Sequence, residues 1–231
     1  VSGESKPSSS SGGKKESDRA LEISRDIKNK VREIIQPLPI RVDSPLGNKD
    51  LNRIKKAFPD IYNNKIKPLI DNANKKLNKN YKNNFENSNS VFRGTNVSEL
   101  DDMLESGVIG RAVGEFNFHS VTTDSNVANV YSLAHDKKTG EESHKTLIEY
   151  DKESLGKNIK SPGYAVQQDR NPSQINTPNK SIEIGDMEHR IKRGVPFSDV
   201  KMKIIISDVP KDEQESFISK YSELSEDIKF D

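Results

Sequence analysis

Apolar residues recur at helical spacing through the first third of the chain and at strand spacing after it. Ile23, Ile27, Val31, Ile34 and Ile35 share one helix face, with Asp18 as the cap and Pro37 as the stop. A connection containing Pro37, Pro39, Pro45 and Gly47 follows. Leu51, Ile54, Phe58, Ile61 and Tyr62 then form a second stripe, which Ile66, Leu69, Ile70, Ala73, Leu77 and Tyr81 continue. Pro59 and Pro68 each remove a backbone donor, so this region should split or kink at them. Its other face is crowded with Lys and Asn and reads as solvated, and the stripes are expected to pack against the second half of the chain. Residues 1–17 hold almost no apolar side chain and are expected to form a disordered tail, because they cannot bury enough surface to offset their ordering entropy.

The pattern changes near Ser90. Short β-type runs are predicted at 90–93, 116–121, 146–150, 188–191 and 200–207. Two helices interrupt them. One spans 98–106, with Leu100, Met103 and Leu104 on one face and Gly107 as its stop; the other spans 125–134, with Asp124 as N-cap and Val127, Ala128 and Tyr131 buried. A polar loop at about 157–180 contains Pro162, Pro172 and Pro178 and exceeds the length of an ordinary connector. A last amphipathic helix is predicted at 211–224. The fold class is α+β: a tail at 1–17, a helical region at 18–89 and a compact β-rich core at 90–231.

Composition narrows the chemistry. The 231 residues carry 37 basic and 36 acidic side chains, a formal net charge of +1, which argues against nucleic acid as a partner. With 31% hydrophobic and 32% charged residues, the core must be economical. Cysteine is absent, which excludes disulfides, thiolate nucleophiles and thiolate-bound zinc. His119, His135, His144 and His189 show no metal-ligand spacing, so no metal is expected. The longest apolar run, 204–206, is far too short to span a bilayer. The chain begins at Val1, as expected of a processed or excised fragment.

Three stretches carry candidate chemistry: Val91-Phe92-Arg93-Gly94-Thr95, Phe118-His119-Ser120-Val121-Thr122, and Asp186-Met187-Glu188 followed by Gly194-Val195-Pro196. An arginine fork suits a pyrophosphate, a hydroxyl can fix a carboxylate rotamer, and a carboxylate can hold a ribose hydroxyl while positive charge grows at the sugar. His119 beside Ser120 suggests a nucleophile and base, but adjacent strand residues point to opposite faces, which places His119 on the far side.

In order and flanking residues these stretches resemble bacterial mono-ADP-ribosyltransferase toxins and effectors of the arginine–serine–glutamate class, the cholera-toxin-like group. The resemblance covers about 90–207. Ser120-Val121-Thr122 is similar to that family's Ser-Thr-Ser motif, and Asp186-Met187-Glu188 to its Glu-x-Glu motif. It implies a core of two packed sheets and NAD as co-substrate. It further implies Arg93, Ser120, Asp186 and Glu188 as catalytic residues, and Arg93, Gly94, Ser120, Thr122 and Glu188 as the NAD-binding set. In these roles Arg93 binds the phosphates, Ser120 orients Glu188, Glu188 holds the ribose 2′-hydroxyl and Asp186 acts as general base. The implied acceptor is a host protein, and the implied setting is secretion or delivery into a host cell. Tyr164 and Gln167 are expected to contact the acceptor. Asp at 186 leaves the acceptor side chain open. Glu183 is a rival for the catalytic carboxylate. Two other readings stay open: an NAD-using transferase directed at RNA or other nucleic acid, and a catalytically dead interaction module.

Overall fold

A computed structural model describes residues 10–110, 118–136, 138–160 and 188–231. It is α+β and divides between Glu86 and Asn87 into a helical unit and a β-rich unit. In the helical unit, α1 (Ser10–Ile35) begins earlier than expected, so residues 10–17 extend the helix rather than form a tail. Once a helix is nucleated downstream, each added residue gains a hydrogen bond for one pair of dihedrals, and weak helix formers can be carried along. Then come α2 (Asn48–Ala57), the single turn α3 (Pro59–Ile61) and α4 (Lys67–Asn87). Both prolines act as expected. Pro59 starts a new turn, and the five residues Tyr62–Ile66 immediately before Lys67-Pro68 widen into a π-helix, which accommodates the missing amide donor. The apolar stripes form a core of their own: Ile27, Val31 and Ile35 cluster with Leu51, Ile54, Tyr62, Ile66 and Ile70.

The β-rich unit contains β1 (Ser90–Asn96), β2 (Val108–Ile109), β3 (Phe118–Thr122), β4 (Lys145–Asp151) and β5 (Ile159–Lys160). Further along the chain are β6 (Glu188–Lys192), β7 (Val195–Pro196), β8 (Met202–Ile206) and β9 (Asp227–Phe230). Seven strands form one sheet in the order β5-β6-β3-β1-β4-β8-β9, and β2 pairs with β7 in a separate ribbon. All pairings are antiparallel except β8 with β9. Period-two alternation builds the core: Thr146, Ile148 and Tyr150 of β4 sit opposite Ile206, Ile204 and Met202 of β8, and all six are buried.

The sheet is two blocks joined narrowly. β1 matches β4 over seven residue pairs and β3 matches β6 over five, but β1 and β3 share one pair, Phe92 with Thr122. Beyond that pair the two strands diverge.

Helices follow both β1 and β3. β1 runs directly into α5 (Val97–Ser106), whose cap Asn96 accepts from the Ser98 amide, and Gly107 ends the helix in the left-handed conformation with φ 74°. β3 leads into α6 (Ser125–Tyr131), where Asp124 accepts from the Asn126 amide as predicted. This helix stops at Tyr131, three residues short of expectation. A short α7 (Lys152–Leu155) follows β4, and α8 (Gln214–Tyr221) precedes β9. Tyr221 Oη donates to Asp101 Oδ1 at 2.7 Å, fastening α8 to α5.

α6 lies hard against β1: a β-carbon at Gly94 would sit 1.6 Å from the Ala128 carbonyl oxygen. Gly94→Ala should therefore push the helix off the strand. Overpacking of this kind costs about 1–3 kcal/mol, and the melting temperature should fall by several degrees. An unchanged melting temperature would show that α6 can shift freely.

Candidate functional site

Ser120 and Glu188 lie 68 residues apart in the chain but on neighbouring strands, and Ser120 Oγ donates to Glu188 Oε1 at 2.8 Å. The register explains the meeting. Thr122 pairs with Glu188 and Ser120 with Arg190, so alternation puts all four on one face of the sheet. Arg190 was not singled out from the sequence, although its spacing of two from Glu188 carries that signal. Its Nε lies 3.9 Å from Glu188 Oε1. The Glu188 side chain keeps 27% of its surface exposed, enough for a ligand to reach it. Thr122 is buried and its Oγ1 accepts from the Asp124 amide at 3.1 Å, so it shapes the turn into α6. Gly94, expected in the NAD-binding set, is where α6 presses on β1.

Arg93 occupies the gap where β1 and β3 part. Its Nε donates to Glu99 Oε1 and Oε2 at 2.9 and 2.8 Å, and its Nη2 lies 2.7 Å from Glu99 Oε1. Its Nη1 donates to the Ser120 carbonyl oxygen at 2.8 Å. All three guanidinium nitrogens thus engage protein oxygens, and the cation expected to meet phosphates ties the strand bearing Ser120 to α5. Glu99 was also missed from the sequence. Asn96 and Glu99 have the spacing of a capping box, which was the available signal, but here both carboxylate oxygens accept from Arg93. Burial pushes the Glu99 carboxyl up. The Arg93 charge, the nearby His119 and hydrogen bonds from Arg93 and Thr95 outweigh it and hold the pKa at about 2.

The opposite face of β3 is closed. His119 is buried, its Nε2 3.3 Å from Tyr150 Oη and its Nδ1 3.9 Å from Glu99 Oε1. It therefore faces away from Ser120, as alternation predicts. Burial, then the Arg93 charge, depress its pKa to about 3, so it is neutral at ordinary pH. His189, between Glu188 and Arg190, points to this side too; burial and Lys152 bring it to about 3. Burial, with Glu99 beside it, raises the Tyr150 phenol well above its usual value.

A cavity of about 220 Å³ opens beside β1, lined among others by Arg93, Gly94, Thr95, Glu99, Tyr131 and Leu133. A larger hollow of about 690 Å³ lies around Glu149, Asp151, Lys201, Lys203, Glu223 and Glu226, and none of its lining residues belongs to the Ser120–Glu188 pair. Asp186, the expected general base, lies outside the described residues, as do Glu183, Tyr164 and Gln167. Among the described residues no three His, Cys, Asp or Glu side chains are grouped to hold a metal ion, and no helix is long and apolar enough to cross a membrane. No protein-family model, curated protein or solved structure matches this chain.

The buried imidazoles set a pH dependence. In the folded protein His119 and His189 stay neutral down to about pH 3, whereas in the unfolded chain they take up protons near their ordinary value of 6.5. Between those values the unfolded state binds more protons, so stability falls as pH falls. Glu99, held at about 2 against an ordinary 4.5, adds a second loss in the same direction below pH 4.5. The melting temperature should begin to drop below pH 6.5 and drop more steeply below 4.5. His189→Phe should flatten the upper part of that curve. A melting temperature constant from pH 7 to 5 would mean that the histidines titrate normally in the folded protein.

Proposed function

We propose that the chain is an NAD-dependent mono-ADP-ribosyltransferase that cleaves the nicotinamide–ribose bond and passes ADP-ribose to a protein side chain. The observation that carries this reading is the 2.8 Å hydrogen bond from Ser120 Oγ to Glu188 Oε1, made between adjacent strands with Arg93 holding the Ser120 carbonyl. A hydroxyl fixing a partly exposed carboxylate, with no metal required, is the arrangement that glycosidic cleavage through an oxocarbenium-like state needs. The order of Arg93, Ser120 and Glu188 along the chain, and the α+β architecture, agree with the resemblance to the arginine–serine–glutamate toxins.

The chemistry follows from that arrangement. The bond between C1′ of the ribose and the nicotinamide nitrogen breaks, and its electron pair leaves with nicotinamide, which departs neutral. Positive charge develops over C1′ and the ring oxygen. Glu188 stabilises that charge and accepts a hydrogen bond from the 2′-hydroxyl. Because Ser120 already fixes the carboxylate, little reorganisation is needed at the moment of reaction. The acceptor's nucleophile then bonds to C1′ and gives up its proton, which Asp186 takes on this reading. Arg190, on the Glu188 face, supplies a cation whose Nε lies 3.9 Å from Glu188 Oε1. The acceptor is a host protein, met after secretion or delivery into a host cell.

Purified protein should release nicotinamide from NAD, and Glu188→Gln should lower that rate at least about 100-fold, the scale of losing a preorganised electrostatic contact. Its melting temperature should stay close to that of the parent chain. Full activity in the variant would remove Glu188 from the mechanism, and an inactive parent chain would remove the enzymatic reading.

A further inference from the structure

We propose that Glu99 is a positioning residue for this cleavage: it fixes Arg93, Arg93 fixes the Ser120 carbonyl, and Ser120 fixes the Glu188 carboxylate. The inference rests on the NAD-cleaving reading and assigns Glu99 a role within it.

The sheet has one narrow joint. β3 and β6 form one block and β1 and β4 another, with Phe92–Thr122 the one residue pair between β1 and β3. Ser120 lies two residues from that pair, on the diverging side. There the bond from Arg93 Nη1 to the Ser120 carbonyl takes the place of the ladder between β1 and β3. A long arginine side chain makes a rigid tie only if its own rotamer is locked.

Glu99 provides the lock. It stands in the first turn of α5, which continues β1 without a break, so it is anchored to the same block as Arg93. Asn96 secures that turn on both sides: its side chain accepts from the Ser98 amide at 3.0 Å and donates to the His135 carbonyl at 2.7 Å. The carboxylate takes Nε and Nη2 of the fork, which leaves Nη1 aimed across the gap. The path then crosses to β3 at 2.8 Å and on to β6 at 2.8 Å, ending on the reacting carboxylate. Glu99 itself stays on the far side of β1 and acts through Arg93 and Ser120.

A double-mutant cycle in nicotinamide release tests the relay, using the parent chain, Glu99→Gln, Ser120→Ala and the doubly substituted chain. Glu99→Gln should lower kcat about 10- to 100-fold with KM nearly unchanged, the pattern of an interaction that serves the transition state. In the double variant the losses should not multiply, because both substitutions cut one path. Glu99→Asp keeps the charge but withdraws it by one methylene. It provides a milder second arm if Glu99→Gln melts below the assay temperature, with a smaller kcat loss that Ser120→Ala again absorbs. Losses that multiply, or a raised KM at unchanged kcat, would overturn the role of Glu99 while leaving the cleavage reading intact. A parent chain that releases no nicotinamide would overturn both.

Discussion

Everything in the β-rich unit turns on how two strands that share one residue pair are kept in a fixed relation. Backbone ladders resist shear because many weak bonds act in parallel, and between β1 and β3 that parallelism is missing. The Arg93–Glu99 ion pair takes over. Desolvating two charges is expensive, and a mostly buried pair seldom adds much net stability. Its value lies in direction: a planar fork matched to a carboxylate has one good arrangement, and that arrangement aims the remaining nitrogen at Ser120. The structure thus trades a broad, forgiving contact for a narrow, specific one.

The pleat of β3 and β6 sorts the chemistry into two compartments. One face takes His119, Val121, His189 and Ile191, all buried, and the two imidazoles are kept neutral there. The other takes Ser120, Thr122, Glu188 and Arg190, and there the Glu188 carboxylate is partly exposed. The separation keeps a potential base, His119, away from the Ser120 hydroxyl. It also explains why an adjacent His-Ser pair in the sequence makes no nucleophile–base couple in space.

Much of this was legible in advance. The five predicted strands, the Asp124 cap, the Gly107 stop and the effects of Pro59 and Pro68 all follow from local rules of period, capping and missing donors. The meeting of Ser120 with Glu188 was expected only through resemblance, since register between distant strands leaves no mark on either segment. Elements of two residues, such as β2, β5 and β7, are shorter than any periodicity that could announce them. β9 was not predicted, because the four residues Asp227-Ile228-Lys229-Phe230 are too few for a period to stand out. Glu99 escaped notice because a carboxylate in a first helical turn has an ordinary local explanation, and its longer-range partner depends on how β1 meets α5. Arg93 was read as a phosphate-binding cation, and in the fold its guanidinium engages Glu99 and the Ser120 carbonyl.

β9 gives the sheet a property that the β3–β6 block does not share. Met202–Ile206 is an apolar strand whose outer backbone groups are paired by a parallel neighbour, and parallel addition requires a crossover, here supplied by α8. The crossover is held in place by the Tyr221–Asp101 bond. Docking of α8 therefore also controls whether β8 presents an open, sticky border. The run of three isoleucines at that border, Ile204 to Ile206, is thereby paired on its outer side by β9 instead of being left as an open edge.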